Sequence, residues 1–357
     1  MTIVGLMSGT SLDGLDMALC QFDAIPSEGL RWRLLSAETA PYPPEWVARL
    51  AALDSATAYE YALAHVQLGH YFGRCVRRFL DKSSYSADAV ASHGHTIFHQ
   101  PQRQLTAQIA DPDAIAAETG LTVVANFRTL DVALGGQGAP LVPIGDRMLF
   151  GSYEACLNLG GFCNISFDTD DGRRIAFDIA PCNFALNELA HRESLPFDDG
   201  GSMARSGTVD TALLQALDGL QYYRETYPKS LGKEWYLEFF KPLLDANQAP
   251  VPVLLRTVTE HVAHQIAVVL NRQQCHALLA TGGGAFNRFL LERVTALAPE
   301  CRLTVPSAEV VNYKEAIVFA LLGYLRLTGR NNCMASVTGA SHDCSGGSVS
   351  GTGLSQK

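Results

Sequence analysis

Glycines, hydroxyl side chains and carboxylates are concentrated near the start of the chain, in the segment Gly5–Asp16. Glycines let a backbone pass close to a ligand, and successive N–H groups in such a turn can bind phosphate oxygens. A nearby aspartate, here Asp13 or Asp16, can hold a magnesium ion, usually through water. The same residue types also form tight hairpins without any ligand, so a plain turn is the alternative interpretation.

A second glycine-rich segment, Thr281–Ala285, follows an apolar run that predicts a buried strand at Ala277–Ala280. A backbone without side chains could lie flat against a planar or phosphorylated ligand there, or it could form a closely packed strand-to-helix turn. The standard nucleotide motifs do not match. Gly232–Glu234 lacks the other residues of a P-loop, and Gly282–Asn287 lacks the final glycine of the dinucleotide fingerprint.

The glycine-rich segments lie between alternating strand and helix patterns, which predicts an α/β protein. Apolar runs predict strands at Thr2–Leu6, Leu15–Phe22, Ala89–Ser92, Leu121–Ala125, Ala155–Leu159, Cys163–Phe167, Arg174–Phe177 and Ala277–Ala280. Helical periodicity predicts helices at Glu45–Asp54, Tyr59–Leu80, Phe184–His191, Thr257–Arg272 and Tyr313–Leu327. The segments Val4–Cys20 and Cys156–Ser166 share a layout of strand, glycine turn and strand, which suggests a duplicated architecture.

The composition narrows the function classes. The chain has 357 residues, 47% of them hydrophobic and 18% charged. This length and hydrophobic content are enough to build a core without disulfides or structural metals. The net charge of -9 and the lack of a basic run argue against nucleic acid as a partner. The nine cysteines are odd in number and include no Cys-x-x-Cys pair, which favours reduced core thiols. With no leader-like or membrane-spanning stretch in the sequence, we expect a cytoplasmic protein.

Several segments, in this order along the chain, resemble the anhydro-N-acetylmuramic acid kinase family of the actin, hexokinase and heat-shock ATPase superfamily. They are Gly5–Asp16, Ser92–Thr96, Gly135–Pro143, Asn158–Gly161 and Gly282–Asn287. The resemblance implies a two-domain, actin-like sugar-kinase ATPase fold with a cleft between the domains. We expect one domain at residues 1–132 plus 310–343 and the other at 133–309, with the boundary near the glycine-rich segment that starts at Gly135. Residues 344–357 are rich in Ser and Gly, which predicts a disordered tail.

The resemblance also implies a reaction. Water opens the internal bridge of 1,6-anhydro-N-acetylmuramic acid while the γ-phosphoryl group of ATP is transferred to O6, in peptidoglycan recycling. The products are N-acetylmuramate 6-phosphate and ADP. The implied ligands are ATP, Mg²⁺ and a small amino sugar, with no membrane partner, and a homodimer is compatible with the resemblance.

The family pattern assigns roles to individual residues. Asp178 is implied as the base that takes a proton from the attacking water, and a turn or N-cap role before the helix at Phe184–His191 is its alternative. The implied ATP-binding residues are Gly9, Thr10, Ser11, Leu12, Asp13, Gly14, Leu15, Asp16, Gly160, Gly161, Gly282, Gly283 and Gly284. The implied sugar-binding residues are His93, Gly94, Thr96, Arg128 and Glu315. No residue is expected to bind a metal directly, and Mg²⁺ would arrive with ATP near Asp13 and Asp16. Glu315 is equally explained as a carboxylate that opens an apolar helix.

The chain departs from the family pattern at three small residues. Ala180 and Cys182 replace glycines beside Asp178, and we expect their side chains to narrow the space for a sugar. Ala110 also stands where glycine is common. These departures leave open a divergent amino-sugar kinase, a non-catalytic ATP-binding actin-like module, and a phosphatase on the same fold.

Overall fold

The structure, a computed structural model, describes residues 1–25 and 29–351. The chain divides into two compact units, a first unit of residues 1–149 and 313 onward, and a second unit of residues 150–312. Each unit is built on its own β-sheet with helices packed against it. The predicted α/β class is therefore confirmed. Within the described residues, no helix is both long enough and apolar enough to cross a bilayer.

The strands follow one another along the chain as β1 (Thr2–Ser8), β2 (Gly14–Ile25), β3 (Gly29–Pro41), β4 (Ala89–Gln100), β5 (Leu105–Ile109), β6 (Thr122–Ala125), β7 (Ala155–Leu159), β8 (Phe162–Asp168), β9 (Arg174–Pro181), β10 (Ala277–Thr281), β11 (Arg302–Thr304) and β12 (Ser348–Ser350). The helices are α1 (Pro44–Ala51), α2 (Ala58–Asp81), α3 (Pro112–Thr119), α4 (Thr129–Ala133), α5 (Val142–Leu149), α6 (Asn183–His191), α7 (Ser202–Ser206), α8 (Thr211–Asp218), α9 (Lys233–Trp235), α10 (Lys241–Asp245), α11 (Val251–Arg272), α12 (Arg288–Leu297), α13 (Ala308–Leu327) and α14 (Ala335–Thr338). A π-helical turn joins α9 to α10 at Tyr236–Phe240. Short 3₁₀ turns lie at Leu53–Ser55, Pro101–Arg103, Asp199–Gly201, Gln221–Arg224 and Gly283–Phe286.

The two sheets repeat one topology. The first unit has the order β3-β2-β1-β4-β6, with β12 outside β6 and β5 paired to β4, and the second unit has the order β9-β8-β7-β10-β11. In each sheet, the first three strands of that order are antiparallel neighbours and the remaining two pairings are parallel. The similar hairpins seen in the sequence therefore belong to a repeated five-strand unit, as predicted.

Each sheet has its own hydrophobic core. In the first unit, α2 packs its buried face against the sheet and begins at a capping box formed by Thr57 and Glu60. In the second unit, α11 lies deeply buried across the sheet. The predicted strands are all present. Two helices begin several residues earlier than predicted, α11 at Val251 instead of Thr257 and α13 at Ala308 instead of Tyr313.

The boundary between the units lies later in the chain than predicted. The helix α5 belongs to the first unit because Gly145 packs so closely that an added Cβ would lie 2.3 Å from Val318 Cγ2. Lys314 Nζ also lies 2.7 Å from Asp146 Oδ1 in a buried ion pair. The glycine-rich segment at Gly135 is thus a loop inside the first unit rather than a boundary.

The predicted disordered tail is wrong for residues 344–351. Cys344 is buried and forms a backbone β-bridge with Cys333. The strand β12 extends the first sheet by pairing antiparallel with β6. Arg326 Nε donates to the Gly347 carbonyl at 2.7 Å, which ties the segment to α13. Small polar residues were able to form an edge strand because the backbone, not the side chains, makes these bonds. Residues 352–357 lie outside the described residues.

Ala110 occupies a backbone conformation that favours glycine. Its φ is 113°, and its side chain is buried at the end of β5. Such a conformation costs a residue other than glycine about 1–3 kcal/mol. We expect Ala110→Gly to raise the free energy of unfolding by about 1 kcal/mol, after the ~0.5–1 kcal/mol that glycine loses through its greater flexibility in the unfolded chain. Chemical denaturation measures the change. Ala116→Gly inside α3 is the control and should be destabilised by about 1 kcal/mol; an equal loss in both variants would contradict strain at Ala110.

Candidate active-site residues of each unit

The carboxyl ends of parallel strands meet at one edge of a sheet, where ligands of α/β proteins commonly bind. In the first unit, the Gly9–Asp13 turn follows β1, and Arg128 follows β6. His93 lies within β4, which is parallel to both β1 and β6. The topology therefore explains how segments more than a hundred residues apart in sequence reach one edge of this unit.

The turn between β1 and β2 exposes its backbone. Leu12 N–H donates to the Gly9 carbonyl at 3.3 Å, and Ser11 Oγ donates to Asp13 Oδ1 at 2.9 Å. Leu12 has a φ of 61°, a left-handed conformation that non-glycine residues seldom adopt. A Cβ added to Gly9 would meet only atoms of Ser11 within 4 Å. This open backbone with small polar side chains fits a phosphate group.

The later residues of the same segment divide between packing and charge. Leu15 is fully buried, and a Cβ on Gly14 would lie 2.6 Å from the Ala40 carbonyl, so both residues pack the hairpin. Asp16 accepts a hydrogen bond from Thr39 Oγ1 at 2.6 Å. Burial raises the pKa of Asp16, and the bond from Thr39 opposes that rise. Together with the exposed Asp13, it supplies the hard oxygen ligands that Mg²⁺ prefers.

A buried polar network lies at the end of β1, directly before the turn. Ser8 Oγ hydrogen bonds to Tyr42 Oη at 2.6 Å and to His95 Nδ1 at 2.8 Å. Burial lowers the pKa of His95, which favours its neutral ring. This network was not predicted, because its members are distant in the chain and each is of a common residue type.

His93 and Arg128, both predicted to bind the sugar, are in direct contact. Arg128 Nε donates to His93 Nε2 at 3.0 Å, so the His93 proton resides on Nδ1, which donates to the Gly94 carbonyl at 3.0 Å. Burial holds the pKa of His93 well below its usual range, and Arg128 lowers it further. His93 is therefore a neutral ring that orients the guanidinium of Arg128.

Glu315 lies in the electrostatic field of Arg128. Burial among protein atoms raises the pKa of Glu315, and Arg128 opposes that rise, although the side chain retains access to solvent. Because α13 begins at Ala308, Glu315 lies beyond the first turn, where a helix dipole acts. The alternative of a carboxylate placed to open this helix is therefore wrong.

The other two predicted sugar-binding residues make local contacts. Gly94 has a φ of 76°, and an added Cβ would lie 2.6 Å from the Ile109 carbonyl, so this position needs glycine. Thr96 accepts a hydrogen bond from Gln108 Nε2 at 3.3 Å. The nearby His99 hydrogen bonds through Nδ1 to Thr106 Oγ1 at 3.1 Å.

The glycines predicted in the second unit come together. A Cβ on Gly282 would lie 2.6 Å from Asn158 Oδ1, and one on Gly284 would lie 2.7 Å from Leu159 Cβ. Asn183, which sequence analysis did not single out, donates through Nδ2 to the Leu159 carbonyl at 2.9 Å. The two glycine segments thus touch because β7 and β10 are parallel neighbours and end at the same edge.

The solvent side of this cluster is bare backbone. Gly161 and Gly283 are exposed, and a Cβ on either would meet no atom closer than 3.7 Å. Their backbone can therefore approach a planar or phosphorylated ligand closely. A Cβ on Gly160 would lie 3.2 Å from Asn158 Nδ2, so the second-unit glycines that were predicted to bind ATP all lie at the ends of β7 and β10.

Asp178 lies near the end of β9, which runs parallel to β7, so its side chain belongs to the same edge. Its Oδ2 accepts a hydrogen bond from Leu231 N–H at 2.8 Å, and its backbone carbonyl accepts one from Tyr222 Oη at 2.6 Å. Within the described residues, no hydrogen bond is made to Oδ1. Burial raises the pKa of Asp178, and the bond from Leu231 opposes that rise. The N-cap of α6 is Cys182, so the N-cap alternative for Asp178 is wrong.

The two substitutions beside Asp178 do not point toward a ligand. The side chains of Ala180 and Cys182 are fully buried in the hydrophobic core of the second unit. Cys182 has a φ of -119°, and neither residue adopts a positive φ. The expectation that they narrow a sugar site is wrong, because the path of β9 turns both side chains inward.

A sequence model of the anhydro-N-acetylmuramic acid kinase family matches residues 1–351. The chain belongs to this family. It is 38% identical to the anhydro-N-acetylmuramic acid kinase of Pseudomonas putida, with 94% of this chain and 96% of that protein covered. It is 36% identical to the corresponding kinase of Vibrio cholerae, with 95% of each chain covered. Among solved structures, an activator of 2-hydroxyisocaproyl-CoA dehydratase from Clostridium difficile aligns at 10% identity with a TM-score of 0.45, over 92% of this chain and 97% of that one.

Family membership confirms the resemblance drawn from the glycine-rich segments. It spans both units, so the repeated sheets are parts of one kinase chain.

Proposed function

We propose that this protein phosphorylates 1,6-anhydro-N-acetylmuramic acid with ATP and opens the anhydro bridge with water. The products are N-acetylmuramate 6-phosphate and ADP, and the process it serves is peptidoglycan recycling. The family match across residues 1–351 is the observation that carries this proposal. All nine cysteines are free and buried, which supports a place in the reducing cytoplasm.

Phosphoryl transfer depends on positioning and on neutralising charge. In the first unit, the exposed backbone of the Gly9–Asp13 turn is assigned to the phosphates of ATP. Asp13 and Asp16 are the carboxylates that would hold Mg²⁺ through water, and that ion neutralises phosphate charge when bound. In the second unit, the bare backbone of Gly161 and Gly282–Gly284 is assigned to the nucleotide.

The sugar carries a lactyl carboxylate, and Arg128 is the cation assigned to it. Two of its nitrogens are already fixed, Nε on His93 and Nη1 on the Gly138 carbonyl at 2.7 Å. Among the described residues Nη2 makes no hydrogen bond, so this nitrogen remains to bind an anion. Glu315, which interacts electrostatically with Arg128 and retains solvent access, is assigned to sugar hydroxyl or amide groups.

Asp178 is assigned as the general base. Its Oδ2 is held by Leu231, and Oδ1 takes a proton from water as the water oxygen bonds to C1 of the sugar. The C1–O6 bond breaks, O6 bonds to the γ-phosphorus, and ADP leaves. A carboxylate with one oxygen fixed and the other unbonded has a defined direction for accepting that proton.

The proposal is tested by incubating the protein with ATP, Mg²⁺ and the anhydro sugar in ¹⁸O-labelled water. Bridge opening by water places one ¹⁸O at C1 of the phosphorylated product, which mass spectrometry detects. Ordinary amino sugars, assayed in parallel, should be poor substrates. Phosphorylation of those sugars alone, or phosphate release without a sugar, would instead identify a different kinase or a phosphatase.

The acid limb of the pH–rate profile should follow Asp178. A free aspartate has a pKa of about 3.9. Because burial raises the pKa of Asp178, its protonated and inactive form accumulates at a higher pH than that of a free aspartate. We expect kcat/KM to be full above the raised pKa and to fall tenfold per pH unit below it. The profile is measured from initial rates at saturating ATP. A rate that stays constant down to pH ~4 would contradict the assignment.

A further inference from the structure

The glycine-rich loop Gly135–Pro140 was prominent in the sequence, yet the proposed reaction uses only its Gly138 carbonyl, which holds Arg128. In the structure, the loop wraps around the side chain of Asp131, which lies in the preceding helix α4 and is fully buried. A buried carboxylate is costly unless donors surround it. The donors around Asp131 therefore show what the loop is built to hold.

Each oxygen of Asp131 is satisfied by a different segment. Oδ2 accepts a hydrogen bond from Gly138 N–H at 2.7 Å. Oδ1 accepts hydrogen bonds from Thr338 Oγ1 at 2.7 Å and from the Cys333 thiol at 3.0 Å. Gly136 must be glycine, because a Cβ there would lie 2.3 Å from Oδ2. One carboxylate thus joins the loop to the segment that leads into β12.

The bond to Gly138 continues to the proposed sugar-binding residues. Gly138, with a φ of 66°, turns its carbonyl toward Arg128, whose Nη1 donates to it at 2.7 Å. The same guanidinium donates through Nε to His93 at 3.0 Å. Asp131 therefore holds Gly138 in place. Gly138 and His93 in turn hold two edges of the Arg128 guanidinium, and Nη2 is left for a ligand.

We propose that Asp131 is a positioning residue for substrate recognition, which acts through Gly138 to aim Arg128 at the carboxylate of the sugar. The inference rests on the proposed function for the identity of the substrate. Asp131 is not assigned a contact with any reacting atom, and its proposed effect on the substrate is confined to the orientation of one cation. A loss of this residue should therefore weaken binding of the anionic sugar and spare binding of ATP.

The test compares three variants of the full-length protein. Asp131→Asn retains the volume but turns an N–H₂ group or a weaker acceptor toward Gly138 N–H. Gly136→Ala retains the Asp131 side chain, but its added Cβ would push Oδ2 away from Gly138. Thr338→Val is the matched control, since it removes one donor from Oδ1 and leaves the bond to Gly138 intact.

We expect Asp131→Asn and Gly136→Ala to raise KM for the anhydro sugar by about 10-fold or more, with KM for ATP within about twofold of wild type. Thr338→Val should leave both KM values unchanged even where its melting temperature falls. Equal losses in all three variants, or a parallel rise in both KM values, would reduce Asp131 to a structural residue and overturn the proposal.

An NMR measurement separates this inference from the proposed reaction. In the wild type, the ¹⁵N resonance of His93 Nε2 should report a nitrogen that accepts a hydrogen bond from Arg128. In Asp131→Asn and Gly136→Ala, we expect it to move toward the position of an unbonded imidazole nitrogen, and in Thr338→Val to stay. If the wild type fails to phosphorylate the anhydro sugar, the proposed function fails, while this shift still decides whether Asp131 positions Arg128. An unmoved resonance in both variants would overturn that role.

Discussion

Replacement of Asp178 by Asn is expected to lower turnover by more than ~100-fold while ATP and the sugar still bind. Asn can still accept the hydrogen bond from Leu231 N–H, so the side chain should keep its place. It cannot take a proton from water at neutral pH, and the attacking water then lacks a base. Steady-state rates give the loss in kcat, and calorimetric titration of the variant with sugar and with an ATP analogue measures binding.

The matched control for this variant is Asp170→Asn. Asp170 is exposed in the turn before β9, at the opposite end of the strand from Asp178, so its loss changes the charge equally. We expect its turnover to equal that of the wild type. A turnover in Asp178→Asn that matches this control would remove Asp178 as the base. A loss of sugar binding in Asp178→Asn would assign it to binding instead.

The strands and the repeated hairpins were predictable because each is encoded by a short apolar run next to a glycine turn. The sequence predicted that the glycine segments near Asn158 and Gly282 lie at the ends of strands, but it did not predict that they contact each other. Their meeting depends on β7 and β10 being parallel neighbours, which is a property of the chain path. The sequence therefore indicated the pieces of the second-unit cluster, and topology brought them together.

The errors arose where backbone, not side-chain type, decides the outcome. Ala180 and Cys182 are small residues beside Asp178, yet the direction of β9 places both in the core. The tail from Cys344 onward has a flexible composition, but the open edge of β6 offered it hydrogen bonds. Leu231 holds Asp178 through a main-chain N–H, and such a contact leaves no trace in residue type.

Asp131 was not predicted as a functional residue, although residues near it in the sequence were. Arg128 and the glycine-rich segment that starts at Gly135 were each indicated by the family pattern, without a link between them. The link is a buried carboxylate with donors from the loop and from Thr338, 207 residues away. Long-range satisfaction of one buried charge is invisible to local patterns, because the cost of burying it is offset by distant groups.

Gly282→Ala is expected to damage nucleotide binding and stability together. Gly282 has φ 81° and ψ 165°, a region that is essentially restricted to glycine. Its added Cβ would also lie 2.6 Å from Asn158 Oδ1 and 2.9 Å from the Leu159 backbone, which cannot move without displacing β7. We expect the free energy of unfolding to fall by about 3 kcal/mol and KM for ATP to rise by at least ~10-fold. Denaturant titration and initial rates against ATP measure the two effects.

Gly172→Ala isolates the backbone contribution. Gly172 has a similar φ of 76° in the β8–β9 turn of the same unit, but an added Cβ would meet nothing within 4 Å. This variant should lose only about 1 kcal/mol of stability and keep the wild-type KM for ATP. If folded Gly282→Ala protein also keeps that KM, the glycine cluster does not bind the nucleotide and its close packing serves the core alone. A rise in KM for ATP in Gly282→Ala and not in Gly172→Ala would instead place the nucleotide against the backbone at the ends of β7 and β10. Both variants put a side chain at a positive φ, but only the Cβ at position 282 would crowd its neighbours.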